Sequence, residues 1–157
     1  MKQCTWIRLA KEDIKVKKQA FNPYLPSWEY IPDGEPYVFG DRVYVYGSHD
    51  YFNGYVFCMG DYVCWSAPVD DLGNWRYEGV IYPKTADPLN PEGKMCLYAP
   101  DVTVGPDGRY YLYYVLDKVP VVSVAVCDTP VTSVYSVGEL PLQFYLQLNS
   151  STLRSSR

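Results

Sequence analysis

The sequence predicts an all-β fold made of repeated antiparallel units, the kind that pack side by side as blades of a β-propeller. Three observations lead there. One pattern occurs twice, 68 residues apart: Pro32-Asp33, with Gly40 seven residues after the aspartate and then Val43-Tyr44-Val45-Tyr46, and Pro100-Asp101, with Gly108 seven residues on and then Tyr110-Tyr111-Leu112-Tyr113-Tyr114. A constant offset with no gap marks an internal repeat. The composition, with 17 Tyr, 13 Pro and 11 Gly in 157 residues, favours strands and turns over helices. Short strand-like runs alternate with turn signals in units of roughly 60–70 residues, somewhat longer than the WD40 type of blade.

The elements follow in order. Asn22-Pro23-Tyr24-Leu25-Pro26 and Ile31-Pro32-Asp33-Gly34-Glu35-Pro36 are turn-rich, and their prolines forbid a helix. Pro36 to Phe39 and Arg42 to Ser48 read as a hairpin about Gly40-Asp41. Tyr55 to Met59 and Tyr62 to Ser66 read as a second pair about Gly60-Asp61. Asp70 to Trp75 is a turn, and Arg76 to Ile81 leads out of it. Tyr82 to Lys94, with three prolines, is a loop. The second unit repeats the order: a strand from Asp101 to Val104, the turn Gly105-Pro106-Asp107-Gly108, then strands at Arg109–Leu116 and Pro120–Cys127. In both units an aspartate stands just before a strand, which suggests two carboxylates aimed at a common centre.

Several function classes are disfavoured. Net charge is -4 and the basic residues form no stripe, so nucleic acid is not an expected partner. The one basic cluster, Lys11 to Lys18, is interrupted by acids and reads as solvated chain. No run of about 18 apolar residues exists, so no membrane span is expected. Met1 to Ile14 lacks the apolar stretch of a secretion signal, and a cytoplasmic location is the expectation. The five cysteines, Cys4, Cys58, Cys64, Cys96 and Cys127, are odd in number and have no C-x-x-C spacing. Neither a disulfide framework nor a zinc site is indicated.

Four segments together resemble glycoside hydrolase family 43: Tyr30-Ile31-Pro32-Asp33-Gly34-Glu35-Pro36; Val43 through His49-Asp50; Trp65-Ser66 with Asp71-Leu72-Gly73-Asn74-Trp75; and Tyr98-Ala99-Pro100-Asp101-Val102. The resemblance runs over about residues 19–130. It implies a five-bladed β-propeller that hydrolyses glycosidic bonds in arabinose- or xylose-containing glycans with inversion. By the same resemblance Asp33 matches the general base. Asp101 matches the aspartate that orients the general acid and raises its pKa. The acid itself, a glutamate of a later blade, has no matching position in this chain. Inversion needs one carboxylate to activate water and one carboxylic acid to protonate the leaving oxygen, roughly 6.5–9.5 Å apart. A third carboxylate nearby keeps the acid protonated by like-charge repulsion.

Taken singly, either aspartate reads more readily as a turn cap than as a catalytic residue; taken as a repeat within the family pattern, the two favour catalysis. Trp65 and Tyr98 are candidates to stack on a sugar, with packing an equal alternative, and Tyr37 is a similar case. His49, the only histidine, is a candidate channel residue or a hydrogen-bonded structural one. Glu35 is a weak candidate for any role, and Trp75 reads as packing. No cofactor and no metal ligands are expected from this chain, although some relatives hold a cation in the central channel. The expected partner is a carbohydrate.

Five blades of about 60 residues need about 300, and this chain spans little more than two. Residues 1–18 are expected to be a poorly ordered extension, 19–130 a partial propeller, and 131–157 an off-pattern tail. That tail has six serines and neither aspartate, lysine nor tryptophan, and it lacks a counterpart to Leu72-Gly73-Asn74-Trp75. It suggests a reading-frame change or premature end in the coding sequence. The chain alone is expected to show little or no turnover. A non-catalytic carbohydrate-binding or interaction fragment and a product without an independent fold are the alternatives.

Overall fold

In the computed structural model, the residues described are 22–131 and the strand at 135–141. The expectation for residues 1–18 falls outside them, as does that for 142–157. Two four-stranded antiparallel sheets follow one another along the chain, each a simple meander. The first contains β1 (Glu35–Phe39), β2 (Arg42–Gly47), β3 (Tyr62–Pro68) and β4 (Arg76–Tyr82). The second contains β5 (Leu97–Val104), β6 (Tyr110–Leu116), β7 (Val121–Cys127) and β8 (Tyr135–Pro141). A 3₁₀ turn at Lys84–Ala86 lies in the connection between the sheets.

Local chemistry explains the strands. The hairpin β1–β2 turns on Gly40-Asp41, with Phe39 opposite Arg42. Gly40 and its repeat counterpart Gly108 both have positive φ, 63° and 78°, where a side chain would cost energy. In β6, Leu112, Tyr114 and Leu116 are buried while Tyr111, Tyr113 and Val115 are half-buried, the period-2 pattern of a strand with one face on the core. β3 is buried through Ala67, so it reads as an almost unbroken apolar run.

The expected elements needed three corrections. Tyr55 to Met59 is an irregular loop, so the expected pairing about Gly60-Asp61 does not form; β3 instead lies between β2 and β4. Asn53 and Cys58 both take left-handed backbone, φ 57°, which no strand accommodates. β5 begins at Leu97 rather than Asp101, with an irregularity in its pairing between Tyr98 and Asp101. Asp101 therefore sits inside a strand, whereas Asp33 sits in a turn. The tail, though off the repeat's pattern, supplies β8 as the fourth strand beside β7.

One core joins the two sheets. It gathers Tyr44, Tyr46, Tyr62, Cys64, Ile81 and Tyr82 from the first sheet with Leu97, Val102, Leu112, Tyr114, Leu116 and Ala125 from the second. The innermost strand of the second sheet, β5, packs beside β1 and β2. Buried tyrosines need partners for their hydroxyls, and here the partners lie across the gap. Tyr46 donates to the Pro130 carbonyl at 2.8 Å and Tyr62 to the Tyr98 carbonyl at 2.6 Å. The Tyr82 and Tyr114 hydroxyls lie 2.6 Å apart. Tyr114 spends its proton on the buried Asp87 carboxylate, so Tyr82 is the donor to Tyr114. Tyr37 donates to Asp101.

Burial is the largest cause that pushes the hydroxyls of Tyr46, Tyr62 and Tyr114 well above their ordinary value of 10.0. A group whose folded-state value is raised contributes stability that is complete below its unfolded value and is lost as pH climbs past it. Burial likewise holds the Cys64 thiol well above its ordinary value of 9.0, so the chain is expected to keep its stability up to about pH 9 and to lose it increasingly above, most steeply past about pH 10 where the tyrosines join. Urea midpoints measured across pH 8 to 12, with tyrosinate absorbance followed in parallel, check this; a midpoint that stays level to pH 12 contradicts it.

Candidate functional site

Asp33 is exposed and lies in the turn that enters β1, with φ 54°. Aspartate tolerates this left-handed region better than most residues, but the position stores strain of a kind often found at functional sites. The turn is held by its fit against β2. A Cβ at Gly47 would lie 2.0 Å from the Ile31 side chain and 3.3 Å from the Pro32 carbonyl. Only glycine lets the Ile31–Gly34 segment press this closely on the end of β2. The carboxylate reaches electrostatically beneath the loop that follows β2. Burial first, then the Asp50 and Asp33 carboxylates, push the Cys58 thiol up, and Asp33 is among the charges that raise Tyr62.

Asp101 is half-buried in β5 and accepts a hydrogen bond from the Tyr37 hydroxyl. Tyr37 stands in β1, four residues after Asp33. The strand that Asp33 introduces thus reaches over to the second sheet and holds Asp101 through one side chain. The sequence pattern pointed to the two carboxylates as a pair but contained nothing to show what joins them.

The other candidates separate into different surroundings. Trp65 is 5% exposed, between the rings of Trp28 and Tyr77, with its indole N–H on Glu29 at 2.8 Å. It is a packing residue, and no ring face is open to a sugar. His49 places Nε2 2.7 Å from the other oxygen of Glu29. Tyr98 is half-buried beside Phe57, and burial, followed by the Asp117 carboxylate that shares a hydrogen bond with it, raises its hydroxyl. Glu35 is exposed in β1. Trp75 donates to the Leu72 carbonyl at 2.8 Å and lies against Tyr24, which is packing within a turn.

Glu29 went unnoticed in the sequence. Its side chain is 2% exposed, and it accepts from Trp65, from His49 and from the Tyr30 amide. A buried carboxylate with three partners is satisfied. Its position in Ser27-Trp28-Glu29-Tyr30, a lone acid among aromatics, was the available signal. Through His49 it ties the segment before Asp33 to the loop between β2 and β3. Among the described residues, no group of three or more His, Cys, Asp or Glu side chains converges as a metal site would require.

Chemically, the arrangement offers one solvent-facing carboxylate able to take a proton from water and a second carboxylate held by a phenol on an adjacent strand. No family profile matches the chain. It is 84% identical over 115 residues to a xylosidase/arabinosidase from Thermoclostridium stercorarium, a match covering 73% of this chain and 24% of that protein. Among solved structures it is similar to a β-xylosidase, with a TM-score of 0.60 and 26% identity over 73% of this chain and 37% of the other. It is likewise similar to the GH43_1 enzyme from Xanthomonas citri complexed with xylose, with a TM-score of 0.57 and 25% identity over 71% of this chain and 34% of the other. The chain spans about a quarter of the length of that Thermoclostridium relative.

The close approach at Gly47 makes Gly47→Ala the sharpest test of how the Asp33 turn is held. Overpacking of this kind typically costs about 1–3 kcal/mol. Denaturant unfolding is expected to show a loss in that range, together with shifted amide resonances from Ile31 to Gly34. A variant as stable as the parent, with those resonances unmoved, contradicts the account.

Proposed function

We propose, on the resemblance to glycoside hydrolase family 43 that sequence identity and fold both show, that this chain carries two of the three acidic residues of an inverting glycosidase. The complete protein would act on arabinose- or xylose-containing glycans as a five-bladed propeller, of which the two sheets are blades. Asp33 is the general base. Its exposed position lets a water molecule reach it, and the developing hydronium proton passes to its carboxylate as the water oxygen attacks the anomeric carbon. Asp101 orients the general acid and keeps it protonated by its negative charge. The acid, a glutamate that donates its proton to the leaving oxygen, comes from sequence not present here.

The observation that carries this reading is the Tyr37 hydroxyl on Asp101, which brings the second aspartate to the strand that begins beside the first. A turn-capping aspartate would need no such link between sheets. The half-buried position of Asp101 suits a group that works through a neighbour, as the exposed position of Asp33 suits one that works on water.

For the chain alone, release of chromophore from aryl β-xyloside and aryl α-arabinofuranoside is expected to stay near background, because without the acid nothing protonates the leaving oxygen as Asp33 takes the proton of the attacking water. In a version extended with the remaining blades, Asp33→Asn is expected to lower turnover by a factor of about 10²–10⁴ with the fold unchanged, since asparagine also tolerates left-handed backbone. An extended Asp33→Asn protein with undiminished turnover removes the assignment of the base. Turnover by the chain alone that Asp33→Asn abolishes removes the expectation that the acid lies elsewhere.

A further inference from the structure

We propose that the loop between β2 and β3, Tyr51 to Phe57, is a stacking platform for a neutral glycan, laid beside the two aspartates. This rests on the glycosidase reading above and assigns it a substrate-holding surface. Four of the seven residues in Tyr51-Phe52-Asn53-Gly54-Tyr55-Val56-Phe57 are aromatic and exposed: Tyr51 by 51%, Phe52 by 83%, Tyr55 by 90% and Phe57 by 58%. Aromatic area of this kind is normally buried, and a contiguous exposed patch marks a contact surface.

The backbone beneath these rings is clamped. At one end, His49 is held by Glu29 and the Asp50 amide donates to the Tyr30 carbonyl at 2.9 Å. At the other, the Cys58 amide donates to the Asp50 carboxylate at 2.5 Å and the Gly60 amide to the His49 carbonyl at 2.8 Å. Within the loop, the Gly54 amide closes a turn on the Tyr51 carbonyl at 2.9 Å. Rings presented on a held backbone lose little freedom when a flat ligand lands on them. The buried Glu29 and the Asp50 carboxylate thus have a use beyond packing: they fix where the rings stand.

The rings also lead somewhere. Phe52 lies 6.3 Å from Tyr30, three residues before Asp33. Phe57 lies 5.4 Å from Tyr98, three residues before Asp101. The platform therefore adjoins the two segments that carry the aspartates. Its charge selects among partners. From Ser48 to Asp61 there is no lysine or arginine, while Asp50 and Asp61 are acidic. The Lys84 ammonium reaches the end of this stretch, where it donates to the Met59 carbonyl, but Tyr51 to Phe57 itself offers a phosphate-bearing polymer no cation. A pyranose presents an apolar C–H face to an aromatic ring and hydroxyls at its edge. The Asn53 amide and the tyrosine hydroxyls interleaved with the rings match that edge. Trp65, which the sequence put forward for stacking together with Tyr98, is inside the packing, and this loop takes its place.

The test is calorimetric titration of the whole chain with xylohexaose and with arabinohexaose, with sedimentation run on the same samples. The double variant Phe52→Ala/Tyr55→Ala is expected to weaken binding at least about tenfold, the equivalent of 1.4 kcal/mol, with an unchanged melting curve because both rings are exposed. As a control, Glu92→Gln, at an exposed carboxylate of the connection between the sheets, is expected to leave affinity within about twofold. Binding that survives the double variant but falls with Asp33→Asn places the sugar over the aspartates alone; it overturns the platform and leaves the glycosidase reading standing. No binding of either sugar by the parent chain also overturns the platform, while hydrolysis by the extended protein judges the enzyme separately. Self-association that the double variant abolishes, without sugar binding, makes the loop a protein contact and overturns it as well.

Discussion

The structure depends on tyrosine hydroxyls that cross between the two sheets. Tyr37, Tyr46, Tyr62 and Tyr82 all belong to the first sheet or its edge strands, and each donates to a group of the second sheet or its flanks. Apolar burial drives the sheets together but carries no direction. A phenol adds direction, because its ring fills the core while its single proton must end on one acceptor. In a low-dielectric interior a missed partner costs about 1–3 kcal/mol, so four such bonds strongly favour one register of sheet on sheet. The abundance of tyrosine, which at the level of composition indicated only strands, is the material of this interface.

The candidate site follows from the same constraint. Tyr37 alternates with Pro36 and Val38 along β1, so its side chain points toward the second sheet, where it meets Asp101. Asp33 precedes that strand by one turn, wedged in place by Gly47. Shifting β1 by one residue would turn Tyr37 away and separate the two aspartates. The geometry proposed for catalysis is therefore a consequence of interface packing rather than of any direct bond between the carboxylates. The third acidic group of the proposed mechanism lies outside this chain, which spans about a quarter of its Thermoclostridium relative.

Much of this was legible in the sequence. The 68-residue repeat located both aspartates, both glycine turns and the strands that became β1, β2, β6 and β7, because each rests on local chemistry: a glycine at positive φ, an alternating apolar face. The failures share a different cause. Tyr55 to Met59 has strand composition, yet a hydrogen bond from the Cys58 amide to the Asp50 carboxylate and left-handed backbone at Asn53 and Cys58 hold it as a loop. Trp65 has the composition of a sugar platform, yet a buried glutamate 36 residues away claims its N–H. β8 lacks the signature of the first sheet's outer turn but finds a free edge on β7. In each case a bonding partner decided the outcome, and composition read in windows does not show which partner a residue will take.

The central claim is that the Tyr37 hydroxyl couples the first sheet to Asp101. A double-mutant cycle of Tyr37→Phe and Asp101→Ala, read by urea unfolding of the whole chain, measures it most directly. A hydrogen bond to a carboxylate should give a coupling of about 1.5–3 kcal/mol. Additive effects, with a coupling within about 0.3 kcal/mol of zero, would mean that the two aspartates are held together by something other than the bond on which this account rests.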